Sequence, residues 1–412
     1  MSSSTSFVAL LASLVAFADP ASALTFDDAQ RIALERAPLL GAKQAAVDAA
    51  ASERISAGRL PDPRLVAGID NYPIEGPNRF STTRDFMTMR SLGWMQEMPN
   101  TNKRDARTQM ASARIERERA LLAAERLAVR REVARGWLAR YFTQQRLDLF
   151  ATLEKENRLL IDTVAARVAG GRAMPTDATA ARQEAVQLAD RRDELNRQLA
   201  TAQASLRRWV GDAAGRPLTG EPPALAIDPT HLRDDIDRAA ELAAFGPMAD
   251  MARAEAREIE AAKKGDWSWQ LTYSQRGEVF GDMVSVQFTF ELPLAPRQRQ
   301  DPLIAAKRKE AERIEAERED MLRKHREEIE MRLAEHDELT RKLERLQASA
   351  TPLAQERVSL AMAAYESARG DLGAVLAVRR EQAELRLREI DLQAQRYALR
   401  AHLNYLLTEH SR

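Results

Sequence analysis

Two short stretches late in the chain alternate apolar and polar residues strictly. From Trp267 to Ser274 the odd positions are Trp267, Trp269, Leu271 and Tyr273, and the even ones Ser268, Gln270, Thr272 and Ser274. From Val284 to Leu292 the even positions are Val284, Val286, Phe288, Phe290 and Leu292, with Ser285, Gln287, Thr289 and Glu291 between them. Period two puts one kind of side chain on each face of a strand. Strands are therefore expected at Trp267–Gln275 and Met283–Glu291. An earlier pair is expected at Arg64–Asn71 and Asp85–Glu97, with Pro99 and Asn100 closing the second member. Nine or ten residues is the length of a tilted strand that crosses a bilayer. On that reading Trp267, Trp269 and Tyr273 are candidates for an interfacial aromatic girdle. A hairpin packed on a helix alternates equally well, so the pattern alone leaves both readings open.

The rest of the chain reads as helix. Thr25 ahead of Asp27 and Asp28 opens one, which runs past Pro38 to about Ile55. Between Lys103 and Val168 there is no proline and one glycine, Gly136. At 1.5 Å per residue that is a helix on the order of 90 Å, too long for a globular interior. Gly170, Gly171 and Pro175 break it, and a second helix returns to about Val210. Later a helix is expected over Leu232–Lys264, and a long one from Pro302 to Arg369 with a kink at Pro352. After Gly370 and Gly373 a last helix ends near Leu407. Val378, Leu385, Leu392, Leu399 and Leu406 fall at steps of seven, as do Leu188, Leu195, Ala202 and Trp209. A strict heptad favours left-handed supercoiling on neighbouring helices.

The order helix, strand pair, long helix, break, helix thus occurs twice. The chain divides into residues 1–23, an export signal; 24–211, a first repeat; 212–230, a Gly- and Pro-rich linker; and 231–412, a second repeat. The fold class expected is mainly α, with long antiparallel coiled-coil helices and a four-stranded β contribution. Residues 7–18 form an apolar run too short for a membrane helix. Ala21, Ser22 and Ala23 follow with cleavage-site character, although no Lys or Arg precedes the run.

Composition narrows the classes. The 62 basic and 62 acidic side chains balance, so no basic excess exists to neutralise nucleic acid. No cysteine is present, which excludes disulfides, thiolate metal sites and a lipid-modified cysteine anchor. The histidines, His231, His325, His336, His402 and His410, are scattered without metal-ligand spacing. No phosphate-cradling glycine loop or nucleophile motif occurs, so neither an enzyme, a cofactor nor a resident metal is expected. Met87, Met89, Met95 and Met98 carry thioethers suited to Cu(I). Met87, Met89 and Met95 share one strand parity, however, and lipid or core contact explains them as well.

Four strands alone in a membrane would expose unpaired edges to hydrocarbon, so membranous strands require closure with other copies. Here the sequence resembles a family. LTFDDAQRIALERAPLLGAKQAAVDAA, from Leu24, and ISAGRLPDPRLVAGIDNY, from Ile55, are similar to the start of TolC-like outer-membrane efflux proteins, and the duplicated element order matches as well. Phe80–Arg90 (FSTTRDFMTMR), Trp94–Asn100 (WMQEMPN) and Lys103-Arg104 resemble its heavy-metal branch, often paired with copper or other divalent-cation pumps, which implies heavy-metal cations as cargo.

The resemblance implies a homotrimer in the outer membrane, closing a twelve-stranded barrel above a helical tunnel in the periplasm. Partners implied are outer-membrane lipid, a periplasmic adaptor (membrane fusion) protein and an inner-membrane RND-type pump. The adaptor would dock at the helix breaks, on Gly170, Gly171, Arg172, Gly370 and Leu372. Arg369 and Asp371 would form a charged gate, although ordinary helix-turn polarity accounts for them too. Lys103 and Arg104 read as interface-snorkelling cations. Two other classes carry long helices: a periplasmic adaptor, which needs one hairpin between β-rich domains, and a soluble coiled coil, which leaves the strands unexplained.

Overall fold

The computed structural model describes residues 23–367 and 369–407; all but the last residue of the expected export signal lies outside them. The elements are α1 (Phe26–Arg36), α2 (Pro38–Ala57), β1 (Arg64–Asp70), β2 (Met89–Met98), α3 (Thr101–Ala169) and α4 (Pro175–Val210). They continue with α5 (Pro229–Asp234), α6 (Phe245–Ala261), β3 (Trp267–Gln275), β4 (Met283–Phe290), α7 (Pro296–Arg345), α8 (Thr351–Glu366) and α9 (Leu372–Asn404). They form two compact units, each drawn from both halves of the chain.

The first unit is helical and comprises the described residues 23–36 with Glu132–Ala224 and Leu343–Ala398. Thr25 caps α1 by accepting the Asp28 N–H at 3.0 Å, and its hydroxyl donates to the Asp28 carboxylate at 2.8 Å. Phe26 meets the buried Trp137 edge-on at 5.5 Å, and Tyr141 stacks on the other side of that indole at 5.2 Å. Leu24 pairs with Leu218 in an isolated bridge, tying the start of the described chain to the segment after α4. A second core joins four helices through Leu160, Val164, Ala181, Tyr365, Leu372, Val375 and Leu376. Ion pairs Arg380–Glu184 and, farther along the helices, Arg146–Asp391, both 2.6 Å, cross between helices.

The second unit comprises Ala37–Arg131, Leu225–Lys342 and residues 399–407, and contains the sheet. Its strands run in the order β1-β2-β3-β4, every neighbour antiparallel. The two chain halves join at β2 and β3, in register from Arg90↔Gln275 to Met98↔Trp267. Below that seam Asn100 caps α3, its side-chain oxygen taking the Lys103 N–H at 3.0 Å. Its backbone N–H goes to Asp266 at 3.0 Å and its side-chain amide to the Ala261 carbonyl at 2.7 Å. Lys103 completes the knot with a 2.6 Å ion pair to Asp266. Burial alone would raise the Asp266 carboxyl, but Lys103, the Asn100 N–H and Arg107 outweigh it and hold the group below its ordinary value. Lys103 is thus no snorkelling cation. It is mostly buried and fixes strand to helix.

Several expected boundaries move for local reasons. β2 begins at Met89, because Asp85 takes the Met87 N–H at 2.9 Å and turns the backbone away from a ladder. Met87 therefore shares no strand face with Met89 and Met95. The single helix expected over 232–264 is broken: Ala239 bridges to Leu407 and the Ala240 N–H bonds the Leu406 carbonyl at 3.3 Å, so residues 236–244 run as short 3₁₀ turns. The long helix starts at Pro296, with Pro302 inside it. The break expected at Pro352 is a π turn over Leu346–Ala350, which accommodates the carbonyl that proline leaves without a donor. In α4 the heptad holds at Leu195 and Ala202, then steps by four to Leu206 and Val210, leaving Trp209 half-buried beneath Arg208.

Candidate functional site

The register sorts the sheet into two faces. One carries Leu65, Ala67, Ile69, Leu92, Trp94, Leu271 and Tyr273, with Val284, Val286, Phe288 and Phe290 aligned beside them. This face is exposed: Val284 at 68 %, Phe290 at 65 % and Trp94 at 48 %. The other face carries Ser91, Gly93, Gln270, Thr272, Ser274, Ser285 and Gln287. There Ser268 and Ser274 are buried, at 7 % and 5 %. A side chain at Gly93 would come within 2.8 Å of the Thr272 hydroxyl, so the polar face is the crowded one. The sheet is inside out relative to a soluble protein, in which apolar faces are covered. Among the described residues β1 and β4 each have one strand neighbour, so both outer edges are unpaired.

Of the three aromatics singled out from the sequence, Trp267 stands at one end of β3. It lies beside the Asp266–Lys103 knot, with its ring 6.4 Å from both Phe288 and Phe290. Trp269 is half-buried opposite Phe288. Tyr273 is exposed near the other end, its hydroxyl on Asp282. The apolar span thus has an amphipathic ring near each end. Met89 and Met95 fall on the polar face, Met95 opposite Gln270 and Met89 opposite Asp70.

The helix breaks belong to the helical unit. α3 ends with the Arg172 N–H returning to the Arg167 carbonyl at 2.8 Å, and Gly171 takes the left-handed φ of +66° that this closure requires. At the second break Arg369 N–H bonds the Ala364 carbonyl at 2.9 Å, and Asp371 caps α9 by accepting the Ala374 N–H at 2.6 Å. Gly170, Gly171, Arg172, Arg369, Gly370 and Asp371 are all exposed. Leu372 departs from the expectation of a docking residue: it is fully buried among Leu160, Val164 and Val375. Arg167 cross-links the two breaks, its guanidinium 4.4 Å over the Tyr365 ring. A cavity of about 130 Å³ lies between α3, α4 and α9, floored by Phe150, Leu153 and Leu376 and rimmed by Glu184, Arg379 and Arg380.

The structure also gathers histidines that look scattered in sequence. Glu328 receives His402 at 3.0 Å and stands 3.8 Å from the buried His325, which lies 3.4 Å from Glu241. Burial holds His402 below the ordinary imidazole value, against the pull of Glu328. No group of three or more His, Cys, Asp or Glu side chains among the described residues is placed to hold a metal ion. No helix of the described residues is long and apolar enough to cross a membrane.

No protein-family model matches the sequence, and no curated protein matches it. Solved structures do match. The outer membrane protein VceC of Vibrio cholerae is similar at a TM-score of 0.76, over 93% of this chain and 97% of that one, with 15% identity. The CmeC outer membrane channel of Campylobacter jejuni is similar at 0.73, over 94% and 87%, with 11% identity. The open state of the MtrE outer membrane channel of Neisseria gonorrhoeae is similar at 0.72, over 93% and 88%, with 13% identity. The likeness is one of fold: long helices and a four-stranded antiparallel sheet, in the arrangement of TolC-like channels.

Proposed function

We propose that the chain is one protomer of an outer-membrane exit duct, whose strands close with those of two further copies into a transmembrane barrel. The observation that carries this reading is the sheet, with its apolar face exposed and both edges unpaired. A lipid surround satisfies the first and strands from other copies the second. Strand directions alternate across the sheet, so β4 of one copy meets β1 of the next antiparallel, as an up-and-down barrel needs. The polar face, with Gln270, Thr272, Ser285 and Gln287, then lines a hydrated passage. Such a duct conducts passively and needs no tight site, because tight binding slows release. That the solved channels of this fold are outer membrane proteins supports the location.

The finer reading continues from the same residues. An inner-membrane RND-type pump supplies energy, and a periplasmic adaptor seats at Gly170, Gly171, Arg172 and Gly370. Arg369 and Asp371 form the gate. The cargo is heavy-metal cations, on the likeness of residues 80–104 to that branch. The protein is to be extracted from outer membranes and sized by light scattering and by gels with and without heating. A heat-dissociable trimer is expected; a soluble monomer or dimer in the periplasm would sink the barrel. Deleting the chain should sensitise its host to copper or other divalent cations; unchanged tolerance would remove the cargo assignment and leave the duct.

A further inference from the structure

Two loops leave the same end of the sheet. One, residues 71–88, joins β1 to β2; the other, residues 276–282, joins β3 to β4. Both are ordered from within. Phe80 N–H bonds the Pro73 carbonyl at 2.8 Å, and the fully buried Thr88 donates to the Asn71 carbonyl at 3.0 Å. Arg276 donates to the Gly281 carbonyl at 2.9 Å. The loops also clasp each other, for a Cβ at Gly277 would lie 1.9 Å from the Thr83 carbonyl oxygen, a contact that glycine alone permits.

With so much order the outward side chains are unexpected. Ile74 is 70 % exposed, Phe80 64 % and Val279 88 %. Phe80 is further held at φ +59°, a left-handed conformation costly for an aromatic residue. Its ring lies tilted against that of Tyr72, 6.4 Å between centroids. The fold thus holds an apolar side chain outward, in a strained conformation, without covering it inside one chain.

The strand order says what covers it. β4 begins directly after the second loop and β1 ends directly before the first, and these are the two unpaired edges. When β4 of one copy pairs with β1 of the next, the 276–282 loop of the first comes beside the 71–88 loop of the second. We propose that Val279 of one copy packs on Ile74 and Phe80 of its neighbour, an apolar seam that staples the barrel mouth between protomers. The Gly277–Thr83 clasp holds both loops of each copy in position for it. This rests on the barrel reading, so its test carries a control for that reading.

The chain has no cysteine, which makes pairing by introduced thiols clean. The full-length protein carrying Ile74→Cys and Val279→Cys is oxidised in native membranes and run on a heated, non-reducing gel. Covalent dimers and trimers that collapse with reductant are expected. In parallel, Leu65→Cys is combined in turn with Val284→Cys, Val286→Cys and Phe288→Cys to trap the β4–β1 edge. Edge pairs that link between chains while the loop pair stays monomeric overturn the seam and keep the barrel. If neither links, both fall. Labelling of single Ile74→Cys by a membrane-soluble maleimide, without cross-linking, assigns the loops to lipid and also overturns the seam. As a second readout, Val279→Asp at this exposed site should lower the temperature at which the oligomer dissociates; a temperature equal to the parent's counts against the proposal.

Discussion

In the helical unit Leu160, Val164, Tyr365, Leu372 and Val375 turn inward and are buried against one another. In the sheet Leu271, Val286, Phe288 and Phe290 turn outward and remain exposed, while Ser268 and Ser274 are covered. The same residue types follow opposite rules in one chain. Apolar surface ends wherever water is absent, and inside a helical core the chain itself excludes water. Over the sheet it does not, and under the proposed barrel lipid would supply the exclusion. Period alone does not separate the two: a helical stripe and a strand face can each be covered by a neighbouring element, and here only the helical stripes are.

Substitutions can break the comparison. The largest effect is expected for Trp137→Ala in the helical core, about 3–5 kcal/mol by the usual cost of a buried aromatic, read as a fall in thermal midpoint in detergent. Trp267→Ala, at a site 38 % exposed, should cost clearly less in the same assay; equal losses would mean that the sheet is packed like the core. Next, Phe288→Arg should cost roughly 2–4 kcal/mol if its face meets the bilayer midplane, seen as loss of the heat-stable oligomer. Its neighbour Gln287→Arg, on the polar face, should leave the oligomer intact.

Smaller effects sharpen the other side. Asp371→Ala removes the α9 cap and should cost about 1 kcal/mol, without changing the fraction of protein in the outer membrane. The knot beneath the sheet gives a pH signature. Asp266 is held below its ordinary value of 3.8, so the unfolded chain binds its proton first as pH falls. The stabilisation is therefore complete above about that value and is lost as pH drops through the lower folded value. Asp266→Asn should flatten this acid limb of a stability–pH profile while leaving neutral pH to report the lost charge interactions with Lys103 and Arg107.

Local rules were legible in the residues. Proline and glycine punctuation placed α3, α4 and both helix breaks, and strict alternation placed β3 and β4 nearly to the residue. Where reading failed, a distant or side-chain partner had intervened. Asp85–Thr88 continues an apparent strand, but a carboxylate turns its backbone. The helix expected over 232–264 gives way to a bridge with Leu407. Lys103 looks like a surface cation until Asp266, far along the chain, takes it. Leu372 sits in a Gly-rich break and is nonetheless core, and His325, Glu328 and His402 are neighbours only after folding.

The sequence by itself determined the long helices, their breaks and the two-faced character of β3 and β4, because helix and strand periods are set by backbone geometry within a few residues. It could not determine that β2 lies against β3, which edges stay unpaired, or which strand face remains uncovered. Those depend on which residues remote in sequence come together, and only the tertiary structure decided them, by setting β2 against β3 and leaving the apolar side of Val284 to Phe290 exposed among the described residues.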